Sequence, residues 1–175
     1  MGMMACVFVF LCLAASYSNA QVVGTIALMG FGQVDFSTSY NVRLQLGTDG
    51  NLNIVGSGAV AGGGENAGHL RITSPDTGKV DVKCATEATL SDATATDLTI
   101  ENIEIAVTTG VSFGSGTVCQ GVGGGDPVTL QIDMDAIPDP DVYVGGEIII
   151  PSPIILPSDK TYSTTGAGTP IQLSI

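Results

Sequence analysis

Short runs in which apolar and polar residues alternate constrain the fold of this chain more than any other feature. In the run at residues 79–84, Val80, Val82 and Cys84 share one face, with charged residues between them. Residues two apart lie on the same face of a β-strand. No stretch of ten or more residues keeps the 3.6-residue period of an amphipathic helix. The other strand-like runs cover residues 42–46, 51–55, 69–73, 98–107, 128–135, 142–144, 148–150 and 171–175.

Turn-forming residues separate these runs. Residues 47–50 (GTDG) predict a hairpin turn and residues 75–78 (PDTG) a second turn. Two glycine-rich pieces, residues 56–68 and 121–125, are interpreted as loops, because a phosphate-binding loop needs a helix after it and usually a lysine. Eight to ten short strands with such punctuation predict an antiparallel β-sandwich of Ig-like or pilin-like type.

Two runs carry finer expectations. In residues 98–107 the apolar positions change from even numbers (Leu98, Ile100) to odd ones. A strand cannot do this without an extra residue, so we expect a bulge near residues 101–102. In residues 128–135 the even-numbered side chains are expected to face the core, and the odd-numbered ones, including Thr129, to face outward.

The first twenty residues predict a secretory signal peptide. They contain no charged side chain, an apolar run at residues 5–15, and a small-x-small ending at Ala20. The apolar run is shorter than the ~20 residues that span a bilayer. We therefore expect cleavage after Ala20, a single β-sandwich domain over residues 21–175, and a secreted, periplasmic or cell-surface protein without membrane insertion after cleavage.

Two of the four cysteines, Cys84 and Cys119, remain after this cleavage. An even pair in an oxidising compartment predicts one disulfide bond between them. A metal pair or a nucleophilic thiol is the alternative, but the chain has no Cys-x-x-Cys spacing and a single histidine.

The charge excludes some partners. Seventeen acidic and five basic residues give a net charge of −12. Nucleic-acid binding relies largely on neutralising phosphates, and anionic membranes also attract basic surfaces. We therefore expect neither partner; acidity favours solubility and mutual repulsion instead.

Candidate sites are few. His69 is the only imidazole, with Arg71 and Thr73 beside it on the same predicted face, and is interpreted as a solvated surface histidine. No Gly-x-Ser-x-Gly motif occurs, and a catalytic triad would have only this histidine to use. The sequence thus predicts no catalytic, cofactor-binding or metal-binding residues, and no enzyme.

The densest acidic group lies between residues 133 and 141. Two of its members, Asp133 and Asp135, are spaced to share a strand face, where they could bind Ca²⁺ or act as a catalytic carboxylate pair. The group lacks the glycine and the terminal glutamate of a calcium loop. A solvated acidic sheet edge is therefore favoured, with calcium binding left open. The four residues are Asp133, Asp135, Asp139 and Asp141.

Several segments in order resemble a bacterial family of secreted, pilin-like β-sandwich domains of unknown function. They are residues 28–32 (LMGFG), 49–60, 66–72 and 143–151 (YVGGEIIIP), followed by Tyr162 and the final apolar strand. The sequence departs from that family's pattern at residues 29–30, where an acidic residue is usual, and at its end. The resemblance implies a structural role at a bacterial surface and supplies no catalytic residues.

The expected function is therefore a non-enzymatic surface protein, a fimbria-like subunit that joins like subunits or other surface proteins by β-strand addition. Residues 21–28 are the candidate donor strand, and residues 171–175 belong to the candidate acceptor edge. The alternative is a self-contained secreted module that binds carbohydrate or protein, which predicts exposed tyrosines with loop Asp or Asn residues.

Overall fold

The computed structural model describes residues 22–27, 29–36, 41–73, 78–90, 97–122, 125–150 and 171–174. The predicted signal peptide and most of the turn at residues 75–78 lie outside this range. Within the described residues no helix could cross a membrane. Thirteen strands make up their regular structure: β1 (Val22–Ala27), β2 (Gly30–Phe36), β3 (Val42–Leu46), β4 (Leu52–Val55), β5 (Ala59–Asn66), β6 (Gly68–Thr73), β7 (Lys79–Cys84), β8 (Ala88–Leu90), β9 (Leu98–Val107), β10 (Thr117–Val118), β11 (Leu130–Asp133), β12 (Asp141–Ile150) and β13 (Ile171–Ser174).

The strands form three antiparallel sheets, and β12 is the central strand of the largest. In the eight-stranded sheet, β12 pairs with β9 along one edge and with β6 and then β3 along the other. Strand β1 extends this sheet beyond β6, β4 extends it beyond β3, and the short β8 and β10 pair with β9. A three-stranded sheet has the order β11-β7-β13, and β2 and β5 form a two-stranded ribbon.

One hydrophobic core joins the large sheet to the three-stranded sheet. Val80, Val82 and Ile132 of the small sheet are at most 3% exposed and belong to the same buried cluster as Ile105 and Val144 of the large sheet. Burying such aliphatic side chains stabilises each by about 1.5–3 kcal/mol. The predicted all-β, antiparallel, sandwich-like architecture is confirmed.

The predicted disulfide between Cys84 and Cys119 is also confirmed. Both residues are buried, because Cys84 ends the apolar face of β7 and Cys119 follows β10. The bond links the small sheet to the segment that pairs with β9, so it crosses between the two layers of the core. Disulfides of this kind are typical of proteins that fold in oxidising compartments.

A bulge in β9 explains why its apolar positions change from even to odd numbers, as predicted. The pairing register with β12 slips between Gly145 and Glu147, and Asn102 takes a left-handed φ of 48°. The extra residue of this bulge carries Ile103 and Ile105 back to the core, where both are 0% exposed. The hairpin predicted at residues 47–50 is likewise confirmed between β3 and β4.

The sequence predicts a loop at the glycine-rich residues 56–68. The structure instead places β5 and the first residue of β6 within this segment. Backbone hydrogen bonds to β2 hold β5, and these bonds need no side chain. The glycines permit a close approach: a Cβ at Gly32, which has φ of 68°, would lie 2.5 Å from the backbone nitrogen of Glu65. The alternation of apolar and polar side chains cannot reveal β5, because the glycines of this strand carry no side chains.

Two further strand predictions are wrong in detail. The exposure of Val128 is 38% and that of Thr129 is 8%, so the alternation begins only at Leu130, where β11 begins. The Thr129 hydroxyl is buried because it accepts a hydrogen bond from the backbone N–H of Gln120 at 3.1 Å. Asp135 does not continue the strand beside Asp133, because β11 ends there and a turn follows.

The runs at residues 142–144 and 148–150 form one strand, β12, rather than two. Gly145 and Gly146 lie in the middle of this strand. Neighbouring groups occupy the space that side chains at these two positions would need. A Cβ at Gly145 would lie 2.3 Å from the carbonyl oxygen of Leu46, and one at Gly146 would lie 2.8 Å from the side chain of Ile100. These glycines bring the central strand into close contact with its neighbours. Joining these two runs lowers the strand count, but five strands outside the alternating runs bring the described strands to thirteen instead of eight to ten; these are β1, β2, β5, β8 and β10.

Candidate functional site

An open cavity of about 540 Å³ lies where the β3–β4 turn, β5, β6 and the segment after β9 meet. We call it the His69 cavity. Its lining mixes apolar and polar surface, and the polar part combines two carboxylates, an imidazole, a phenol and several hydroxyl groups. Residues carrying these groups are Thr48, Asp49, Glu65, His69, Thr108 and Tyr143.

His69 and Tyr143 form one wall of this cavity. They are directly opposite each other in the register of β6 and β12, and their rings stack with centroids 4.5 Å apart and an interplanar angle of 17°. The side chain of His69 is only 22% exposed. The interpretation of His69 as a solvated surface residue is therefore wrong, because pairing with β12 places an aromatic ring and a carboxylate beside it.

That carboxylate belongs to Asp141. Its Oδ1 lies 3.0 Å from Nε2 of His69, although the two atoms are not aligned as a well-directed hydrogen bond. Arg71 donates two hydrogen bonds of 2.9 Å to the two oxygens of Asp141. The hydrogen bond from Arg71 is the main reason that the pKa of Asp141 is lowered. Asp141 thus lies beside His69 but does not belong to the cavity lining.

The structure divides the predicted acidic group between two sheets. Asp133 ends β11, and its Oδ1 accepts a hydrogen bond from the backbone N–H of Asp135 at 3.0 Å. Asp141 begins β12 and pairs with Arg71, while Asp139 is exposed. In the part of the chain that the structure describes, no group of three or more His, Cys, Asp or Glu residues could hold a metal ion.

Glu65 in β5 also contributes a carboxylate to the lining of the cavity. One of its oxygens, Oε2, is buried and has no hydrogen-bond partner among the described residues. Burying a carboxylate oxygen without a partner costs free energy. Asp49 differs, because its two oxygens accept hydrogen bonds from the backbone and side-chain nitrogens of Asn51.

Two buried side chains fix the segment at residues 108–116, which borders the cavity. The hydroxyl of Thr48, which is 0% exposed, donates to the carbonyl of Val111 at 2.9 Å and accepts from its N–H at 2.7 Å. Oε2 of Glu104 accepts hydrogen bonds from the N–H groups of Gly114 and Gly116. The segment that borders the cavity is therefore held by hydrogen bonds to buried side chains.

Glu104 is almost completely buried, at 1% exposure, and its Oε1 has no partner among the described residues. Burial is the largest cause of the raised pKa of Glu104; the charge of Asp49 also raises it, and the two backbone hydrogen bonds oppose the shift. A carboxyl group whose pKa is higher in the folded state than in the unfolded state costs stability as pH rises through that interval.

We expect Glu104→Gln to remove this pH dependence, because the amide oxygen can still accept both N–H groups but the side chain cannot ionise. Urea unfolding from pH 3.5 to pH 7 should show the variant gaining stability relative to the wild type as pH rises above 4.5, the ordinary pKa of a glutamate. A difference in unfolding free energy that stays constant with pH would contradict the raised pKa of Glu104.

The predicted donor and acceptor strands both lie at sheet edges. Strand β1 pairs with β6 of the same chain, in a register that joins Val22 to Thr73 and Gly24 to Arg71. Strand β13 pairs with β7 and ends the three-stranded sheet. The described β1 edge strand thus covers nearly all of the predicted donor at residues 21–28.

A comparison with protein-family models finds no match, and comparisons with curated proteins and with solved structures find none either. The resemblance to secreted pilin-like domains stays a prediction.

Proposed function

We propose that this chain is an exported, non-enzymatic structural protein of a cell surface, and that its subunits join by β-strand addition. The observation that carries the proposal is the position of β1. Among the described strands it is an edge strand that pairs only with β6, and it begins two residues after the predicted cleavage site. Signal cleavage would therefore leave β1 at the new amino terminus, preceded by one residue, Gln21.

Exchange of β1 between subunits requires no new recognition surface. A β1 strand from a neighbour would make the same main-chain hydrogen bonds to β6 that β1 makes within its own chain. Exchange of identical elements between protomers is a low-cost route to assembly for this reason. The net charge of −12 opposes close approach of subunits, so assembly should be favoured by salt.

The edge formed by β13 is a second acceptor for an added strand, in a sheet separate from β6. Strand β7 is covered by β11 on one side and by β13 on the other, so the free edges of this sheet among the described strands are the outer sides of β11 and β13. An edge of this kind presents unpaired N–H and C=O groups to an added strand. The chain therefore offers both a donor strand and an acceptor edge.

Deleting residues 21–28 tests the proposal. We expect the oxidised, secreted chain to assemble, the deleted chain to remain monomeric, and a synthetic peptide of residues 21–28 to bind the deleted chain. A peptide with Val23 and Thr25 replaced by proline is the matched control, because it cannot donate the backbone hydrogen bonds. Unchanged assembly of the deleted chain in sedimentation velocity would refute strand addition by β1.

A second candidate function is a self-contained binding module for carbohydrate or protein. The His69 cavity favours it, because it combines a tyrosine with Asp49 and Asn66 at the ends of neighbouring strands. Asp49 and Asn66 match the loop residues expected of such a module, whereas Tyr143 is half-buried in β12 rather than exposed. A stable monomer with one cooperative unfolding transition, together with a ligand that perturbs the cavity residues, would support this candidate over assembly.

A further inference from the structure

We propose that the His69 cavity binds a small organic cation, through a primary ammonium or guanidinium group. The inference rests on the second candidate function, the binding module, and is independent of strand addition. It names the chemical class of ligand that the cavity would take.

The charge of the cavity is the first reason. Glu65 and Asp49 both contribute carboxylates to its lining, whereas none of the lining residues is a lysine or an arginine. The two arginines of the chain are engaged elsewhere: Arg43 lies 3.6 Å from Glu147, and Arg71 is bonded to Asp141. Among the described residues, Glu65 forms no salt bridge, so its charge on the cavity lining is not neutralised by a neighbouring cation.

The second reason is that a metal ion fits poorly. Calcium takes six to eight oxygen ligands, and the described residues hold no group of three or more His, Cys, Asp or Glu residues arranged for a metal. Asp49 already accepts two hydrogen bonds from Asn51, which leaves Glu65 as the principal charged acceptor. A single carboxylate suits a nitrogen donor, which forms a charge-assisted hydrogen bond with it.

The aromatic wall is the third reason. A cation within about 6 Å of a tyrosine ring gains from the ring's electron density, and a planar guanidinium can stack on it. Tyr143 contributes such a ring to the lining, and its stack with His69 holds it in place. Hydroxyl oxygens of Thr108 and Thr109 on the same lining can accept further N–H groups.

The size of the cavity agrees with a small ligand. Its volume of about 540 Å³ lies within the 300–1,000 Å³ of typical small-molecule sites. It is also open to solvent, so the same chemistry could arrive as a free amine or as an arginine side chain of a protein partner. The test below separates these two sources.

Isothermal titration of the oxidised chain with agmatine, which carries both a guanidinium and an ammonium group, is the direct test. We expect binding that weakens as salt is raised, and at least a tenfold loss of affinity in Glu65→Gln. Glu87→Gln is the matched control, because Glu87 is exposed and outside the cavity lining, and it should bind like the wild type. A capped Gly-Arg-Gly peptide and a neutral methyl glycoside complete the series.

Each outcome has one meaning. Binding of agmatine, the peptide or both, lost in Glu65→Gln but not in Glu87→Gln, supports the inference and identifies the source as a free amine, a protein side chain or either. Binding of the glycoside alone overturns the cation but keeps the binding module. Absence of any binding by the wild type overturns both. The salt dependence is measured on the wild type, so the test does not rely on the folding of a variant.

Discussion

Replacing Cys84 and Cys119 together by alanine is expected to lower the free energy of unfolding by about 3–4 kcal/mol. The bond joins residues 35 apart, and opening a loop of this length releases about that much chain entropy to the unfolded state. The bond is buried and ties the segment after β10 to β7, so its loss also loosens the contact between the two layers. Urea unfolding at pH 7 measures the change directly.

Reduction of the wild type provides the matched control for this prediction. The reduced wild type and the double alanine variant share the same unfolded-state freedom, so their midpoints should agree closely and lie well below that of the oxidised protein. A double variant as stable as the oxidised protein would mean that the disulfide contributes little to the fold.

Gly145→Ala is expected to destabilise the chain by about 1–3 kcal/mol or more, in the range observed for overpacked cores. A Cβ at this position would lie 2.3 Å from the carbonyl oxygen of Leu46 and 2.9 Å from the carbonyl carbon of Gly47. Both are backbone atoms, so β3 would have to move away from β12. Because β12 pairs with β3, β6 and β9, the displacement would disturb the centre of the large sheet.

Gly24→Ala is the control for Gly145→Ala. Gly24 also lies in a strand of the large sheet, but the nearest atom to its added Cβ would be the carbonyl oxygen of Arg71 at 4.0 Å, an ordinary contact. The control should therefore unfold like the wild type. Equal thermal midpoints for Gly145→Ala and the wild type would show that β3 and β12 are not packed as closely as described.

The sequence predicted those strands in which one face is buried and the other is solvated. In β3 and β7 the burial of side chains follows the alternation of the sequence. The bulge in β9 was predictable for the same reason, because a change of parity within one apolar run has few other causes. The disulfide between Cys84 and Cys119 was predictable because these two cysteines are the ones left after the predicted signal cleavage, and a secreted protein folds in an oxidising compartment.

The candidate site could not be predicted, because it depends on pairing between distant segments. His69 and Tyr143 are 74 positions apart in the sequence. They become neighbours only because the register of β6 and β12 places them opposite each other. Glu104 lies between Ile103 and Ile105, and all three are buried. Period-2 alternation places Glu104 on the solvent side. The one sequence feature that indicates otherwise is the predicted bulge just before it.

Exchange of β1 between chains can be measured most directly by disulfide trapping. Val22 and Thr73 are partners in the register of β1 and β6, so one chain carrying Val22→Cys is mixed with another carrying Thr73→Cys under mild oxidation. If subunits join by strand addition, covalent heterodimers should form, and Val22→Cys mixed with Val55→Cys, at an exposed site on β4, should form few. If heterodimers do not form, while a single chain with both Val22→Cys and Thr73→Cys closes an internal bond, β1 stays within its own chain and assembly by β1 exchange is refuted.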